Sequence, residues 1–226
     1  TRAFYDRISH VYDAIADAAE HGARERGQEI LDVAPGERVL EVGFGPGRAL
    51  VAFARGVGRD GAVVGLDLSP GMLAEARRRV EREGVADRIE LVVADARSLP
   101  LADGSFDAAF LSFTLELFDA DDIPTVLREL RRVLRPGGRL AIVHMASTER
   151  HGPMERAYEW FHRNFPHFVD CRPIVATDAI DEAGFRVVTV EETGVCGLPV
   201  GIALATRPDR TRERSASRED RTADPR

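Results

Sequence analysis

Lysine does not occur in this 226-residue chain: all 31 basic residues are arginine. A Walker-type phosphate loop and a pyridoxal-phosphate Schiff base each depend on a lysine side chain, so both classes are excluded at the outset. Cysteine is nearly as scarce. Cys171 and Cys196 are too few and too isolated for a disulfide framework or a metal site, so no metal is expected, and the count suits a reducing cytoplasm. No apolar run approaches the roughly eighteen residues of a membrane span, and the opening Thr-Arg-Ala-Phe-Tyr-Asp lacks the charged-then-apolar layout of a signal peptide. A cytoplasmic location is therefore expected. A basic surplus is missing too: the formal charge of -7 and pI near 5.5 argue against nucleic acid or an anionic membrane, since both need a basic face to displace counterions. Charge is unevenly spread, because the stretch from Arg207 to Arg226 holds seven Arg against five Asp or Glu.

What is present is an alternation of period. Short runs rich in Val, Ile and Leu, at Arg38 to Val42, Ala62 to Leu66, Ile89 to Val93, Phe106 to Leu111 and Leu140 to Met145, read as buried strands apolar on both faces. Between them, Arg48 to Val57, Pro70 to Glu83 and Ile123 to Leu134 place apolar residues at three- and four-residue spacing, as crossover helices do. Ser69-Pro70 supplies an N-cap with Pro at the first helical position, Gly84 a C-terminal stop, and Arg135-Pro136-Gly137-Gly138 a tight turn. Thr177 to Ala183 reads as one more helix, and Phe185 to Glu191 and Leu198 to Ala205 as two last strands. One domain over 1–206 is expected, with a helical cap at 1–34, an aromatic lid inserted at 146–176, and a disordered tail at 207–226 that lacks apolar residues.

The chemistry concentrates after the first strand, in Glu41-Val42-Gly43-Phe44-Gly45-Pro46-Gly47. Such a strand-to-helix loop could cradle a phosphate, grip a dinucleotide, or let the backbone approach a ligand with no phosphate. A dinucleotide fingerprint wants a third glycine where Arg48 stands. Asp67 ends the second strand about twenty residues on, where a carboxylate can accept ribose hydroxyls, and Asp95 ends the third. With Glu41, these place three carboxylates at one edge of the sheet. Pyrophosphate is a poor guest there, and a cofactor bearing an ammonium and a sulfonium a good one.

Taken in order, Glu41 to Gly47, Gly65-Leu66-Asp67-Leu68-Ser69, Ala94-Asp95-Ala96 with Leu99-Pro100-Leu101, Ser105-Phe106-Asp107, and Leu134-Arg135-Pro136-Gly137-Gly138 resemble the motifs of class I S-adenosylmethionine-dependent methyltransferases. Phe4-Tyr5-Asp6-Arg7-Ile8-Ser9 and Tyr12-Asp13 make the chain further similar to the ubiquinone and menaquinone biosynthesis C-methyltransferase branch, whose relatives also methylate phenols, sterols and phospholipid amines. The resemblance implies a doubly wound α/β fold, a Rossmann-like seven-stranded, mostly parallel sheet with one antiparallel strand near the end. It implies S-adenosyl-L-methionine as cofactor, with Gly43, Gly45 and Gly47 approaching its methionine moiety and Glu41 orienting that loop. Asp67 would hold the ribose, Leu68 and Met72 flank the adenine, and Asp95 with Ala96 meet its amino edge. Ser112 matches a cofactor-contacting Ser, and Tyr12 could close over the cofactor. Two departures stand out: Pro46 where the branch often has Thr, and Phe113-Thr114-Leu115-Glu116-Leu117 where it has Gly-Leu-Arg-Asn.

Methyl transfer from a sulfonium mainly needs alignment of donor and acceptor and exclusion of water, and a general base matters only if the acceptor is a phenol or a protonated amine. Candidates are His144, Glu116, and His162 or His167 of the lid. Five of the fifteen aromatic residues fall between 158 and 168, where they either pack the lid or face an apolar substrate. The expected partner is a small apolar or aromatic acceptor of quinone or phenol type, with no nucleic acid, no integral membrane contact, and a homodimer as a candidate assembly. Open alternatives are O- or N-methylation of a natural product or lipid amine, an NAD-dependent Rossmann oxidoreductase, and a non-catalytic S-adenosylmethionine-binding module.

Overall fold

A computed structural model describes residues 20–146, 174, 176–195 and 198–209. Tyr12, His162, His167, the aromatic cluster at 158–168, most of the expected lid and the tail beyond 209 lie outside the described residues. Residues 20–31 are helical and form α1. There follow β1 (Arg38–Val42), α2 (Arg48–Gly56), β2 (Ala62–Asp67), α3 (Pro70–Arg82), β3 (Ile89–Val93), β4 (Phe106–Ser112), α4 (Ile123–Val133), β5 (Leu134–Met145), α5 (Ala176–Glu182), β6 (Arg186–Val195) and β7 (Leu198–Thr206).

Seven strands make one sheet in the order β3-β2-β1-β4-β5-β7-β6. β7 alone runs antiparallel to its two neighbours, β5 and β6. Each crossover helix buries the stripe its spacing prescribes: α4, for example, turns Val126, Leu127, Leu130 and Val133 to the sheet. Alternation along the strands divides the core in two. Leu40, Val42, Leu111 and Ile142 face α4 and α5, while Val39, Phe110 and Val143 face α1, α2 and α3, where Phe53 meets Phe110 edge-on at 5.1 Å. After β1 the chain winds to β2 and β3 on one side, then returns to β4 on the other. The carboxyl ends of β1 and β4 therefore flank the switch point at which open α/β sheets bind ligands.

Ser69 does cap α3, its Oγ accepting from the Met72 N–H at 3.2 Å with Pro70 at the first helical position. Two strand expectations need correction. β3 is the sheet's edge and only half covered, with Val93 43% exposed, because an edge strand has a neighbour on one side only. β5 begins at Leu134 rather than Leu140: Phe106 pairs with Leu134 and Ala108 with Arg139, so the Pro-Gly-Gly turn is a bulge within the strand.

The tail boundary also moves. The Arg207 guanidinium donates to the carbonyls of Arg131 at 2.9 Å, Arg132 at 3.2 Å and Leu134, closing the carboxyl end of α4. Its backbone pairs with Gly137 and Gly138 across the bulge. Arg207 thus belongs to the fold. Arg207→Ala is expected to lower unfolding free energy by about 2 kcal/mol, the scale of hydrogen bonds to a charged group. Urea denaturation measures this, and an unchanged midpoint would mean that water serves those carbonyls equally well.

Candidate functional site

A crevice of about 1030 Å³ opens at the carboxyl ends of β1, β2 and β4. Asp67, the last residue of β2, organises it. One carboxylate oxygen accepts from the Gly45 N–H at 2.9 Å and the other from the Ser69 N–H at 2.8 Å, so one side chain ties the glycine loop to the start of α3. Each oxygen keeps a further lone pair for a ligand. From α3, Arg79 donates to the Pro46 carbonyl at 2.7 Å and braces the loop. Gly43 has φ of +73°, and its Cα lies against Thr114 so closely that a Cβ would run into the Thr114 hydroxyl and methyl. Gly47 plays another part: at φ of +80° it caps α2 and packs against Ala76 of α3, and it does not line the crevice.

Most of the cofactor set expected from the sequence does meet there. Glu41, Gly43, Gly45, Asp67, Leu68, Met72, Asp95, Ala96 and Ser112 all line the crevice. Leu68 is 69% exposed and Met72 38%, as apolar flanks of an open slot would be. Two buried polar atoms of the wall, Glu41 Oε2 and Ser112 Oγ, have no hydrogen-bond partner. Burial pushes the Glu41 carboxyl well above the usual range; Arg24 on α1 opposes that shift and Asp67 adds to it. Such atoms are costly unless a ligand serves them.

Asp95 behaves differently from expectation. Its carboxylate accepts from the Arg97 backbone N–H at 2.9 Å and from Arg97 Nε and Nη2 at 3.1, 3.0 and 2.6 Å, while Arg97 Nη1 reaches Asp122 at 2.8 Å. These hydrogen bonds from Arg97 hold Asp95 below the usual carboxylate range. Three N–H groups thus serve the carboxylate, the single Nε–H being shared between its two oxygens.

Sequence reasoning missed Arg24, Arg79 and Arg97, which share the wall with Arg48 against seven carboxylates: Glu20, Glu41, Asp67, Glu75, Asp95, Asp119 and Asp122. Arg97 carried a local signal, two residues after a strand-end Asp; Arg24 and Arg79 carried none, because only the fold brings α1 and α3 to the loop. Phe113 was missed as a special position. It lines the crevice at φ of +50°, a conformation that costs a non-glycine residue about 1 kcal/mol or more.

Of the proton-acceptor candidates, neither His144 nor Glu116 lines the crevice, and they differ in environment. His144 is buried on the α4 and α5 face with its ring over Gly201, Nδ1 3.1 Å from the Met145 carbonyl, and burial pulls its pKa below the usual imidazole value. Glu116, in the turn at Leu115–Leu117 after β4, is 1% exposed. Its Oε1 accepts from the Met145 N–H at 3.0 Å, and its Oε2 has no partner. Burial pushes this carboxyl from its ordinary 4.5 up to about 7.

A pH dependence follows. Between pH 4.5 and 7 the native protein keeps a proton on Glu116 that the unfolded chain releases, so this contribution is full below 4.5 and is lost as pH rises through about 7. The loss is on the order of 3 kcal/mol. Asp95, Glu129 and Glu191, held low by Arg97, Arg132 and Arg26, act in the opposite sense. The comparison with Glu116→Gln removes them: from pH 5 to pH 8 wild type should lose stability relative to the variant in chemical denaturation. Parallel losses would place the carboxyl in water.

Fold and crevice together define a nucleoside-binding domain of the doubly wound α/β class, with a wall suited to a cationic guest. Residues 39–138 match the methyltransferase domain family, and the chain resembles the class I S-adenosylmethionine-dependent methyltransferases of the ubiquinone and menaquinone branch. It is 42% identical over 146 residues to the methyltransferase GfsG of Streptomyces halstedii, covering 62% of this chain and 51% of that one. It is 37% identical over 145 residues to the 2-phytyl-1,4-naphtoquinone methyltransferase of Synechococcus elongatus, covering 62% and 61%. The chain thus spans about half to three fifths of these relatives' lengths. A S-adenosylmethionine-dependent methyltransferase of Aquifex aeolicus shares the fold, with TM-score 0.63 and 24% identity over 81% of this chain and 89% of that one. Among the described residues no helix is long and apolar enough to cross a membrane.

S-adenosyl-L-methionine is the cofactor of this class, and the residues present fit it. The unpartnered Glu41 Oε2 and Ser112 Oγ can accept from its ammonium, and the outward lone pairs of Asp67 from ribose hydroxyls.

Proposed function

We propose that this protein transfers a methyl group from S-adenosyl-L-methionine to a small apolar or aromatic acceptor of quinone or phenol type. The observation that carries the reading is the crevice's two-part wall: a cradle of acidic groups around Asp67 and Glu41, continued by Phe113, Leu117 and Phe118. The first part suits a cationic cofactor and the second an apolar acceptor. The relative named for a phytyl naphthoquinone supports the acceptor class.

When bound, the cofactor supplies a methyl group on a positively charged sulfur. Asp67 holds the ribose hydroxyls, and through its bonds to Gly45 and Ser69 it fixes the loop the methionine moiety lies on. Gly45 admits that moiety because it carries no side chain, and Gly43 lets the loop close against Thr114 behind it. Leu68 and Met72 flank the adenine. Ala96 meets its amino edge, with Asp95 available once Arg97 turns wholly to Asp122.

The test is transfer of labelled methyl to two probes, 1,4-naphthohydroquinone kept reduced and a long-chain primary amine. Transfer to the hydroquinone should be at least tenfold faster; transfer to the amine alone would contradict the proposed acceptor class.

A further inference from the structure

We propose that Glu116 is the proton acceptor of the reaction, taking the proton of an acidic hydroxyl on the methyl acceptor; the acceptor class rests on the reading above. Glu116 lies directly behind the crevice wall, buried beneath residues that line it. The turn that carries it leaves β4 directly after Ser112, and its neighbours Thr114 and Leu117 form the crevice wall. Its Oε1 is anchored on the Met145 N–H, which lodges the carboxyl between the carboxyl ends of β4 and β5. The second oxygen, Oε2, is left buried without a partner.

A purely structural carboxyl in such a place would be expected to satisfy both oxygens or to be replaced by an apolar residue. His144, the other described candidate, lacks this arrangement. Its alternation along β5 turns it to the α4 and α5 face, where its ring is closed in by Gly201 and its Nδ1 faces a carbonyl.

The charged groups on the surrounding elements leave Glu116 poised rather than paired. Glu20 of α1 is the charge whose field reaches it, and it disfavours ionisation; Arg24 lies in an ion pair with that same Glu20 at 3.6 Å. From β5 it receives the Met145 N–H, and from its own turn a backbone N–H, both favouring ionisation. Burial outweighs them. A base with affinity for protons near that of the medium is the most effective kind at neutral pH.

The step balances as follows. The acceptor's O–H proton passes to Glu116 Oε2, leaving its electron pair on the acceptor. A pair from the acceptor, at oxygen or at the ring carbon conjugated to it, forms the bond to the methyl carbon. The pair of the broken carbon–sulfur bond goes to sulfur, which ends neutral. If ring carbon is methylated, its own proton then passes to water, the electron pair of that C–H bond restores the aromatic ring, and Glu116 returns its proton to the oxygen.

Two measurements on the full chain test this. The first is the rate of methyl transfer to 1,4-naphthohydroquinone from pH 5 to 9 for wild type, Glu116→Gln and Glu116→Asp, with cofactor dissociation constants measured in parallel. Wild-type kcat/KM should rise with unit slope and level off above about pH 7. Glu116→Gln should lose at least 100-fold in kcat and that pH dependence, Glu116→Asp should recover part of the rate, and cofactor affinity should stay within twofold. A Glu116→Gln rate within threefold of wild type across the range would overturn the proposal.

The second is infrared titration of the S-adenosylhomocysteine complex. The protonated-carboxyl band absent from Glu116→Gln should shift when 1,4-naphthohydroquinone is added. A band that ignores the hydroquinone, although calorimetry shows it bound, would also overturn the proposal. If wild type neither binds nor methylates the hydroquinone, the quinone-type acceptor fails. The same titration with phenol and catechol then decides on Glu116, and no shift with either would overturn its role.

Discussion

Asp67→Ala is expected to weaken S-adenosylmethionine binding by about 1.5 to 3 kcal/mol, roughly tenfold to 150-fold, the range of charge-assisted hydrogen bonds. Two losses combine. The outward lone pairs proposed to receive the ribose hydroxyls disappear, and so do the acceptors of the Gly45 and Ser69 N–H groups. The second loss reaches the apo protein too, because the glycine loop would then rest on the Gly43 N–H to Leu66 carbonyl bond at 2.7 Å and on Arg79. Melting temperature should therefore fall along with affinity. Calorimetry and thermal melts on the same sample separate the effects: a lowered melting temperature with an unchanged dissociation constant would restrict Asp67 to bracing the loop.

Gly43→Ala should be at least as damaging. The alanine would be held at φ of +73°, and its methyl would overlap the Thr114 side chain. Strain of about 1 to 2 kcal/mol from the backbone, with a further 1 to 3 kcal/mol from overpacking, is enough to displace the loop. We expect cofactor affinity to fall beyond 100-fold and unfolding free energy by about 3 kcal/mol. Thr114→Ala in the same chain removes the two closest overlapping atoms and leaves the strain and the Thr114 Cβ contact, so the double variant should recover only part of the loss. Simple additivity of the two substitutions would show that the side chains do not meet.

Much of this architecture is legible in the sequence because it is local. β1 and β3 have the bounds their apolar runs give, α2, α3 and α4 end within a residue of their spacing, and Asp67 and Asp95 stand at strand ends because those runs stop there. Sheet order is another matter. That β3 is an edge, and that β5 reaches back through a bulge to pair Leu134 with Phe106, depends on neighbours distant in sequence. The carboxylates of the site were likewise legible, whereas their partners were not. Arg97 pairs with Asp95, Arg24 stands near Glu41, and Arg207 closes α4 from 75 residues away. Surface arginines elsewhere in the chain have the same local appearance. Glu116 and His144 could not be ranked from sequence, since the difference lies in what β5 and β7 present to each: a backbone N–H and an unpartnered oxygen in one case, a ring closed in by Gly201 in the other.

The central claim is that the acid-lined crevice around Asp67 takes S-adenosylmethionine. Isothermal titration of the full chain with S-adenosylmethionine, S-adenosylhomocysteine and NAD tests it most directly. Saturable binding of the first two, lost in Asp67→Ala, with no response to NAD is the predicted result. Tight NAD binding with no response to the other two would contradict it.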